Sequence, residues 1–554
     1  MEITPVNIRE SRSRSRSRSR TRNSTANSRS TSSTRRPSLG SKKSLSSSSI
    51  NKITIIPTQI DNERSIPSVQ VFLDNTLPTE FFKQDILALT KTLKISKWHK
   101  KQLNIQNLII NRISGALTNS IYKIEYHDSA QNLYLPALLL RVYGRNVDEL
   151  IDRDNELQIL VKLSQKRIGP RLLGIFTNGR FEQFLDGFTT LNKSQIRDEI
   201  ISQMLGRRMK DLHYKIELDA KDYEKLPTCW YLIEKWLKII ENEYLPGYVQ
   251  AKIDPKTIFF MNFQDYKSLI FKYKDWLFDK YDELEFSLNY KFCHNDTQYG
   301  NLLLHESFKP EDIIVNQGDS DEVNIKSTSN KKDSNLVVID FEYSGPNFPA
   351  FDIVNHFSEW MADYHDPIKS YYINEEKYPT KLQQLNLIKS YIEYDFQYPS
   401  SNLKTNKKPQ EILNDTSSAS RLIQSEIEKL YNECIYWRPS VQIFWSLWGL
   451  IQNGPIKSTT EIENGTMEQG IDSTYNITTA LDSIHLEDIK DLPVIEDGEA
   501  ITSSDDDFDY IKYSNQKIAL ILGDLIQFRL FDKEYINVLD RDLIKYLNTD
   551  LFEI

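Results

Sequence analysis

Apolar positions change their spacing near residue 194, and that change divides the chain. Upstream, short blocks of β-branched and aliphatic residues are separated by turn signals. Asn107-Leu-Ile-Ile, Ser120-Ile-Tyr-Lys-Ile-Glu-Tyr126 and Ala137-Leu-Leu-Leu-Arg141-Val-Tyr143 read as strands, with a turn at Ser114-Gly115 between the first two. A helix is predicted before them from Pro78 through Leu93, where Phe81, Phe82, Ile86, Leu89 and Leu93 share a helical spacing. Another runs from about Asp148 to Leu163 and stops at Gly169-Pro170. A strand pair flanks Asn178-Gly179, a dipeptide suited to a tight hairpin. From Ser194 onward the period is mostly helical, with Ile200, Ile201, Met204, Leu205, Met209 and Leu212 on one face. The pattern predicts an α+β chain in which a small β-rich lobe precedes a larger helical lobe, an order that suggests a bilobal nucleotide-binding fold.

Three stretches break the pattern. Residues 1–65 are mainly Ser, Arg, Thr and Asn and cannot bury enough surface to offset the entropy of ordering, so a disordered arm is expected. Residues 314–335 and 453–507 are polar, the second with fourteen Asp and Glu against two Lys, and both read as disordered insertions in a compact fold. The organisation expected is an arm at 1–65, an N-terminal lobe at 66–190 and a C-terminal lobe at 191–554.

Charge adds a second question. The net charge of −9 conceals a basic end, since the first 50 residues hold ten Arg and two Lys against two Glu. Five consecutive Ser-Arg steps from Ser11 to Arg20 raise the option of an RNA-processing factor with an arginine-serine arm. No RNA-binding module follows, and the acidic body disfavours a polyanion, so no nucleic-acid partner is expected. Arg35-Arg-Pro-Ser38 fits a basophilic protein kinase, and each phosphate would cancel nearly two of the arm's positive charges. The arm then reads as a regulatory segment. The three cysteines, Cys229, Cys293 and Cys434, are too far apart for a disulfide framework or a cysteine-only zinc site. No apolar run reaches the about eighteen residues of a membrane span, and the N-terminus has no apolar signal core. A soluble cytoplasmic protein with at most peripheral membrane contact is expected.

The sharpest chemical signal is Phe292-Cys-His294-Asn-Asp296-Thr-Gln298-Tyr-Gly300-Asn301. Phosphoryl transfer from ATP needs a carboxylate to take the acceptor's hydroxyl proton and oxygen ligands to hold Mg2+ on the phosphates. In this segment Asp296 would be the base and Asn301 a metal ligand, with His294 packing the loop. Leu336-Val-Val-Ile339-Asp340 then reads as a buried strand ending in the second metal carboxylate. Taken singly, Asp296 could cap a turn and Asp340 could merely end a strand. Their order behind a β-rich lobe favours the catalytic reading.

His294-Asn-Asp-x-Gln-x-Gly-Asn301, Ile339-Asp-Phe-Glu-Tyr343 and Phe351-Asp-Ile-x-Asn-His-Phe-x-Glu-Trp360 together resemble the choline/ethanolamine kinases. The third segment is the most specific, because other kinase-like phosphotransferases share the first two. From about Val69 to Phe528 the chain is most similar to the fungal choline kinase branch. The resemblance implies a bilobal protein-kinase-like fold and the reaction of choline with ATP to give phosphocholine and ADP, the first committed step toward phosphatidylcholine. An ethanolamine kinase or a dual enzyme stays open, as does a homodimer. On matching positions the resemblance implies that Arg141 contacts the ATP phosphates, with Glu156 as its acidic partner. It implies a phosphate-covering loop at Ser114, Gly115, Thr118 and Asn119, a hinge at Gln183 and a nucleotide-side position for Gln298. It places Tyr343, Glu359, Tyr364, Phe508 and Tyr513 around the amine. Trp445 and Trp448, three apart on a predicted helix, would add ring walls suited to a quaternary ammonium. Asp352, Asn355 and His356 are expected to brace the catalytic loop, and Trp98, Trp360 and Trp437 to pack in the core.

Overall fold

The computed structural model describes residues 53–56, 66–113, 119–143, 153–166, 168–250, 253–283, 286–309, 333–397, 416–454 and 508–553. Ser38, Ser114, Gly115, Thr118, the side chain of Asn119 and most of both predicted insertions lie outside the described residues.

The alternating segments pair into one seven-stranded sheet. Its strands are β1 (Ile53–Ile56), β2 (Ile66–Val69), β3 (Leu108–Ile113), β4 (Asn119–Asp128), β5 (Leu133–Tyr143), β6 (Leu172–Phe176) and β7 (Gly179–Gln183). Their order is β1-β2-β6-β7-β5-β4-β3, antiparallel throughout except for β2 beside β6. Strand β1 lies inside the stretch assigned to the disordered arm, which corrects that boundary. The run Ile53-Thr-Ile-Ile56 is β-branched throughout, a local strand preference that the surrounding Ser and Arg composition concealed. Helix α1 (Thr79–Thr92) buries Phe82, Ile86 and Leu89 but leaves Phe81, expected on the same face, exposed, and α2 (Arg153–Lys166) follows β5.

The β5–β7 pairing decides where Arg141 stands. It sets Arg141 opposite Arg180 and Val142 opposite Gly179. A Cβ at position 179 would lie 2.3 Å from the Arg141 carbonyl oxygen, so only glycine allows this approach.

The second half is helical around two small sheets, one of β8 (Phe188–Thr190), β10 (Leu302–His305) and β11 (Leu336–Val338), the other of β9 (Lys291–Cys293) and β12 (Gly345–Asn347). Helix α3 (Glu199–Lys215) begins where the Asp198 side chain accepts from the N–H groups of Ile200 and Ile201, and it buries Ile201, Met204, Leu205, Met209 and Leu212. Next come α4 (Thr228–Ile239), α5 (Leu245–Gln250), α6 (Lys256–Phe259) and α7 (Phe263–Phe278), then, past the small sheets, α8 (Pro349–Glu359) and α9 (Lys381–Gln397). The core centres on α10 (Thr416–Asn453), a 38-residue helix packed against α4, α8, α9 and α11 (Tyr510–Gln527).

Helix α10 continues through Pro439, which has no N–H for the ladder. The Tyr273 hydroxyl of α7 enters there, donating to the Tyr436 carbonyl at 2.7 Å and accepting from Ser440 N–H at 3.2 Å. That side chain lets one helix carry both core residues and Trp445 and Trp448. Trp98, Trp360 and Trp437 are buried.

Candidate active site

The segment His294 to Asn301 turns between β9 and β10, and Asp352 of α8 fixes its shape. The Asp352 carboxylate accepts from the main-chain N–H groups of His294 and Asn295, each at 2.9 Å, and from His213 Nε2 of α3 at 2.9 Å. Asn295 adopts φ +65°, which asparagine tolerates better than most residues. Its amide donates to the Tyr343 carbonyl and accepts from Asn347. The Asp296 N–H donates to His294 Nδ1 at 3.2 Å, which leaves His294 Nε2–H to donate to the Ile339 carbonyl at 2.8 Å. One imidazole therefore ties the loop to the strand end that carries Asp340. His356 Nδ1–H donates to the Thr297 carbonyl at 2.9 Å, and its other nitrogen accepts from Trp360 Nε1 at 3.2 Å. Burial pushes His356 down to about 4, so this arrangement uses the neutral ring. Asn355 accepts from Trp445 Nε1 at 2.7 Å. His213, Cys293 and Asp352 also present ligand atoms within 4.8 Å of one another. Both His213 nitrogens and both Asp352 oxygens are already engaged in hydrogen bonds, so the cluster reads as a clamp.

Replacing Asp352 by Asn turns one acceptor into a donor beneath these N–H groups. It should cost about 1–3 kcal/mol in denaturant unfolding and lower kcat at least tenfold. Unchanged values of both would remove the clamp role.

Asp296 is 8% exposed. Burial, then the charges of Glu359, Asp340 and Glu342, push its carboxyl well above the usual range, while Asn301 Nδ2 opposes this by donating to Oδ2 at 2.8 Å. Asp340 behaves in the opposite way. Burial would raise it, but Arg141 Nη1 at 2.9 Å and the more distant Arg180 hold it below the usual carboxylate range. Two nearby carboxylates are thus driven apart, one toward a proton acceptor and one toward a fixed anion. Asp340 also takes φ +64°, a strain of about 1–3 kcal/mol for a side chain of this kind, and the strand ends two residues earlier than expected, at Val338.

The expected pairing of Glu156 with Arg141 is replaced. Glu156 accepts from Arg180 Nη1 at 2.8 Å, Glu182 accepts from Arg180 Nε, and all three side chains are buried. Arg141 is instead bonded to Asp340, which joins β5 to the segment that follows β11. One register pair of β5 and β7 puts the two arginines opposite each other, so the carboxylates sort between them by position. Gln183 ends β7, where its side chain accepts from Arg171 and its N–H donates to the Arg171 carbonyl. The chain then crosses to β8, consistent with a hinge. Gln298 accepts from Gly300 N–H within the loop.

The aromatic residues form one continuous arc. Ring centres are separated by 5.4 Å for Tyr343–Trp445, 5.5 Å for Trp445–Trp448 and 6.3 Å for Trp448–Tyr513. The arc continues through Tyr513–Phe508 at 5.4 Å and Phe508–Tyr364 at 6.3 Å. It ends where the Tyr364 hydroxyl donates to Glu359 Oε2 at 2.8 Å. Trp448 Nε1 donates to the Tyr343 hydroxyl at 2.7 Å, so both tryptophan N–H groups are satisfied within the protein. All seven residues predicted to line an amine pocket are therefore brought together, from α8, α10, α11, the segments beside α8 and α11, and the turn between β11 and β12.

A family model described as choline/ethanolamine kinase matches residues 110–522, and a second, for the choline kinase N terminus, matches residues 57–107. The chain belongs to the choline/ethanolamine kinase family. A choline kinase of Saccharomyces cerevisiae is 37% identical over 85% of this chain and 80% of its own length. An ethanolamine kinase of the same yeast is 33% identical over 87% of this chain and 83% of its own. Among solved structures, a choline kinase from Cryptosporidium parvum shares the fold with a TM-score of 0.51 at 19% identity, covering 81% of this chain and 97% of that one. Membership makes this chain a phosphotransferase that uses ATP, with a small molecule as acceptor. No described helix is long and apolar enough to cross a membrane.

Four residues of this family member escaped the sequence reading. Arg180 lies three residues before Gln183, but only the sheet register shows which carboxylates it takes. His213 had no signal beyond the helical pattern. Tyr510 packs on Trp448 at 5.8 Å, and Lys517 is wholly buried beside Tyr513. Lys517 follows Tyr513 by four residues, so helical spacing could have placed it on the same face.

Proposed function

We propose that the protein transfers the γ-phosphoryl group of ATP to the hydroxyl of choline, forming phosphocholine and ADP on the route to phosphatidylcholine. The observation that carries this reading is the arc of six rings that starts at Tyr343, close enough to Asp296 for their charges to interact, and ends on Glu359. A quaternary ammonium has no N–H to donate, so ring faces and a nearby carboxylate are what can hold it. With the ammonium against the rings and Glu359, the substrate hydroxyl falls on the Asp296 side, where the raised basicity of that carboxylate suits proton acceptance.

On the nucleotide side, Arg141 is the cation for the phosphates, and its bond to Asp340 keeps it in register with the catalytic loop. Asp340 and Asn301 fit Mg2+, because both offer hard oxygen donors. The Asn301 amide nitrogen is already spent on Asp296 and leaves its carbonyl oxygen as the ligand. Bound there, Mg2+ would supply charge neutralisation at the phosphate oxygens.

The alternative acceptor is ethanolamine, favoured by the 33%-identical relative and by a Glu359–Tyr364 pair able to accept from a primary ammonium. Parallel steady-state kinetics on the purified protein should give a kcat/KM for choline at least about tenfold above that for ethanolamine. Parity, or the reverse order, would overturn the choice of choline. Trp448→Ala should raise the KM for choline about tenfold, with less than a twofold change for ATP. Equal effects on both substrates would make Trp448 a packing residue only.

A further inference from the structure

Lys517 stands on α11 one helical turn after Tyr513, and both side chains are buried. Its Nζ lies 5.3 Å from the centre of the Tyr513 ring and makes no hydrogen bond to any described residue. Glu359, on α8, is 2% exposed and holds the Tyr364 hydroxyl. A buried ammonium without hydrogen bonds is costly, and so is a buried carboxylate with few partners. Burial drives Glu359 up and Lys517 down, and each charge opposes the other's shift. The other titratable groups facing Glu359 are Asp296 and Tyr299 from the catalytic loop, Tyr364 beyond the end of α8, and Tyr513 from α11. Lys517 is the one cation among these described groups.

Carboxylate with ammonium, and carboxylic acid with neutral amine, hold the same single proton and the same net charge. A permanent cation entering beside Glu359 adds one positive charge to a water-poor site. We propose that Glu359 and Lys517 together hold one proton in the free enzyme, and that the substrate ammonium displaces it. The proton passes to solvent, Glu359 stays as the carboxylate facing the substrate, and Lys517 is left neutral behind the Tyr513 ring. Lys517 is thus a positioning residue that sets the charge of the pocket, an inference that rests on the amine pocket proposed above.

The test is calorimetric titration of choline chloride into the full-length protein at pH 8, in phosphate and in Tris, whose different ionisation enthalpies report the protons exchanged. About one proton should leave per choline bound, and choline affinity should rise by up to about tenfold per pH unit between pH 6 and pH 8. Lys517→Met should abolish the release at pH 8, because the variant lacks the amine that carries the exchangeable proton. Lys517→Arg should also release none, and its fixed charge should weaken choline binding at least about tenfold. Choline binding by the wild-type protein without proton release would overturn the inference and leave the pocket standing. Undiminished release from a choline-binding Lys517→Met variant would do the same. A wild-type protein that binds no choline would overturn the pocket reading itself, and this inference with it. Should a variant fail to fold, the wild-type buffer comparison and pH series decide alone.

Discussion

Asp296→Asn should lower kcat by about 10²–10⁴-fold, the contribution expected of a positioned general base. The substitution keeps the shape of the side chain and leaves an oxygen able to accept from Asn301, which now donates to Asp296 at 2.8 Å. What is lost is the capacity to take a proton. The stability effect should have the opposite sign. Burial and three neighbouring carboxylates disfavour the Asp296 charge in the fold, so the folded state holds its proton to a higher pH than the unfolded chain does. Above the unfolded value the ionised group therefore opposes folding, and removing it should leave the melting temperature unchanged or raise it. Steady-state kinetics and a thermal melt of the same preparation check both halves. Turnover within tenfold of wild type would remove Asp296 from the chemistry.

Asp524→Ala should destabilise the protein by about 3–5 kcal/mol, because it strands a buried guanidinium. Arg438 of α10 donates from Nε to Asp524 Oδ2 at 2.8 Å and from Nη2 to Oδ1 at 2.6 Å, with both side chains at most 1% exposed. Its Nη1 reaches the Asn548 carbonyl at 2.9 Å, so one residue ties α10, α11 and the C-terminal segment together. The proposed amine pocket depends on that alignment, since Trp445 and Trp448 come from α10 while Tyr513 and Lys517 come from α11. A raised KM for choline should therefore accompany the loss of stability. The double variant Arg438→Met with Asp524→Leu should recover most of the stability, because no unpaired charge remains. Denaturant titration of the three proteins is the measurement, and a loss below about 1 kcal/mol for Asp524→Ala would show the pair to be dispensable.

Legibility in the sequence followed the range of the interaction concerned. Helix α1, the buried face of α3 and the β6–β7 hairpin were readable because each depends on neighbours within one or two turns of chain, although the turn falls at Thr177-Asn178 and Gly179 opens β7. The short strand β1 was hidden because four β-branched residues sit in a composition typical of disorder, and its partner β2 lies beyond a further segment. The 38-residue span of α10 was not readable, since Pro439 should end a helix unless another element repairs the ladder, and the repair comes from Tyr273 on α7.

The sequence by itself determined which chemical groups the protein commands. Asp296, Asn301 and Asp340 stand in motifs short enough that local geometry places them, and the resemblance named the residues of the aromatic arc. Tertiary structure alone decided how charges are shared among them. It gave Glu156 to Arg180 and Asp340 to Arg141, through the register of two strands. It put Asp352 under the loop from His294 to Asn301 and Lys517 beside the Tyr513 ring. The physical reason is that a charge pairs with whatever lies within a few ångströms in a water-poor interior. Distances such as those from Arg141 to Asp340 or from Arg438 to Asp524 are set by the packing of whole elements, which no spacing along the chain records.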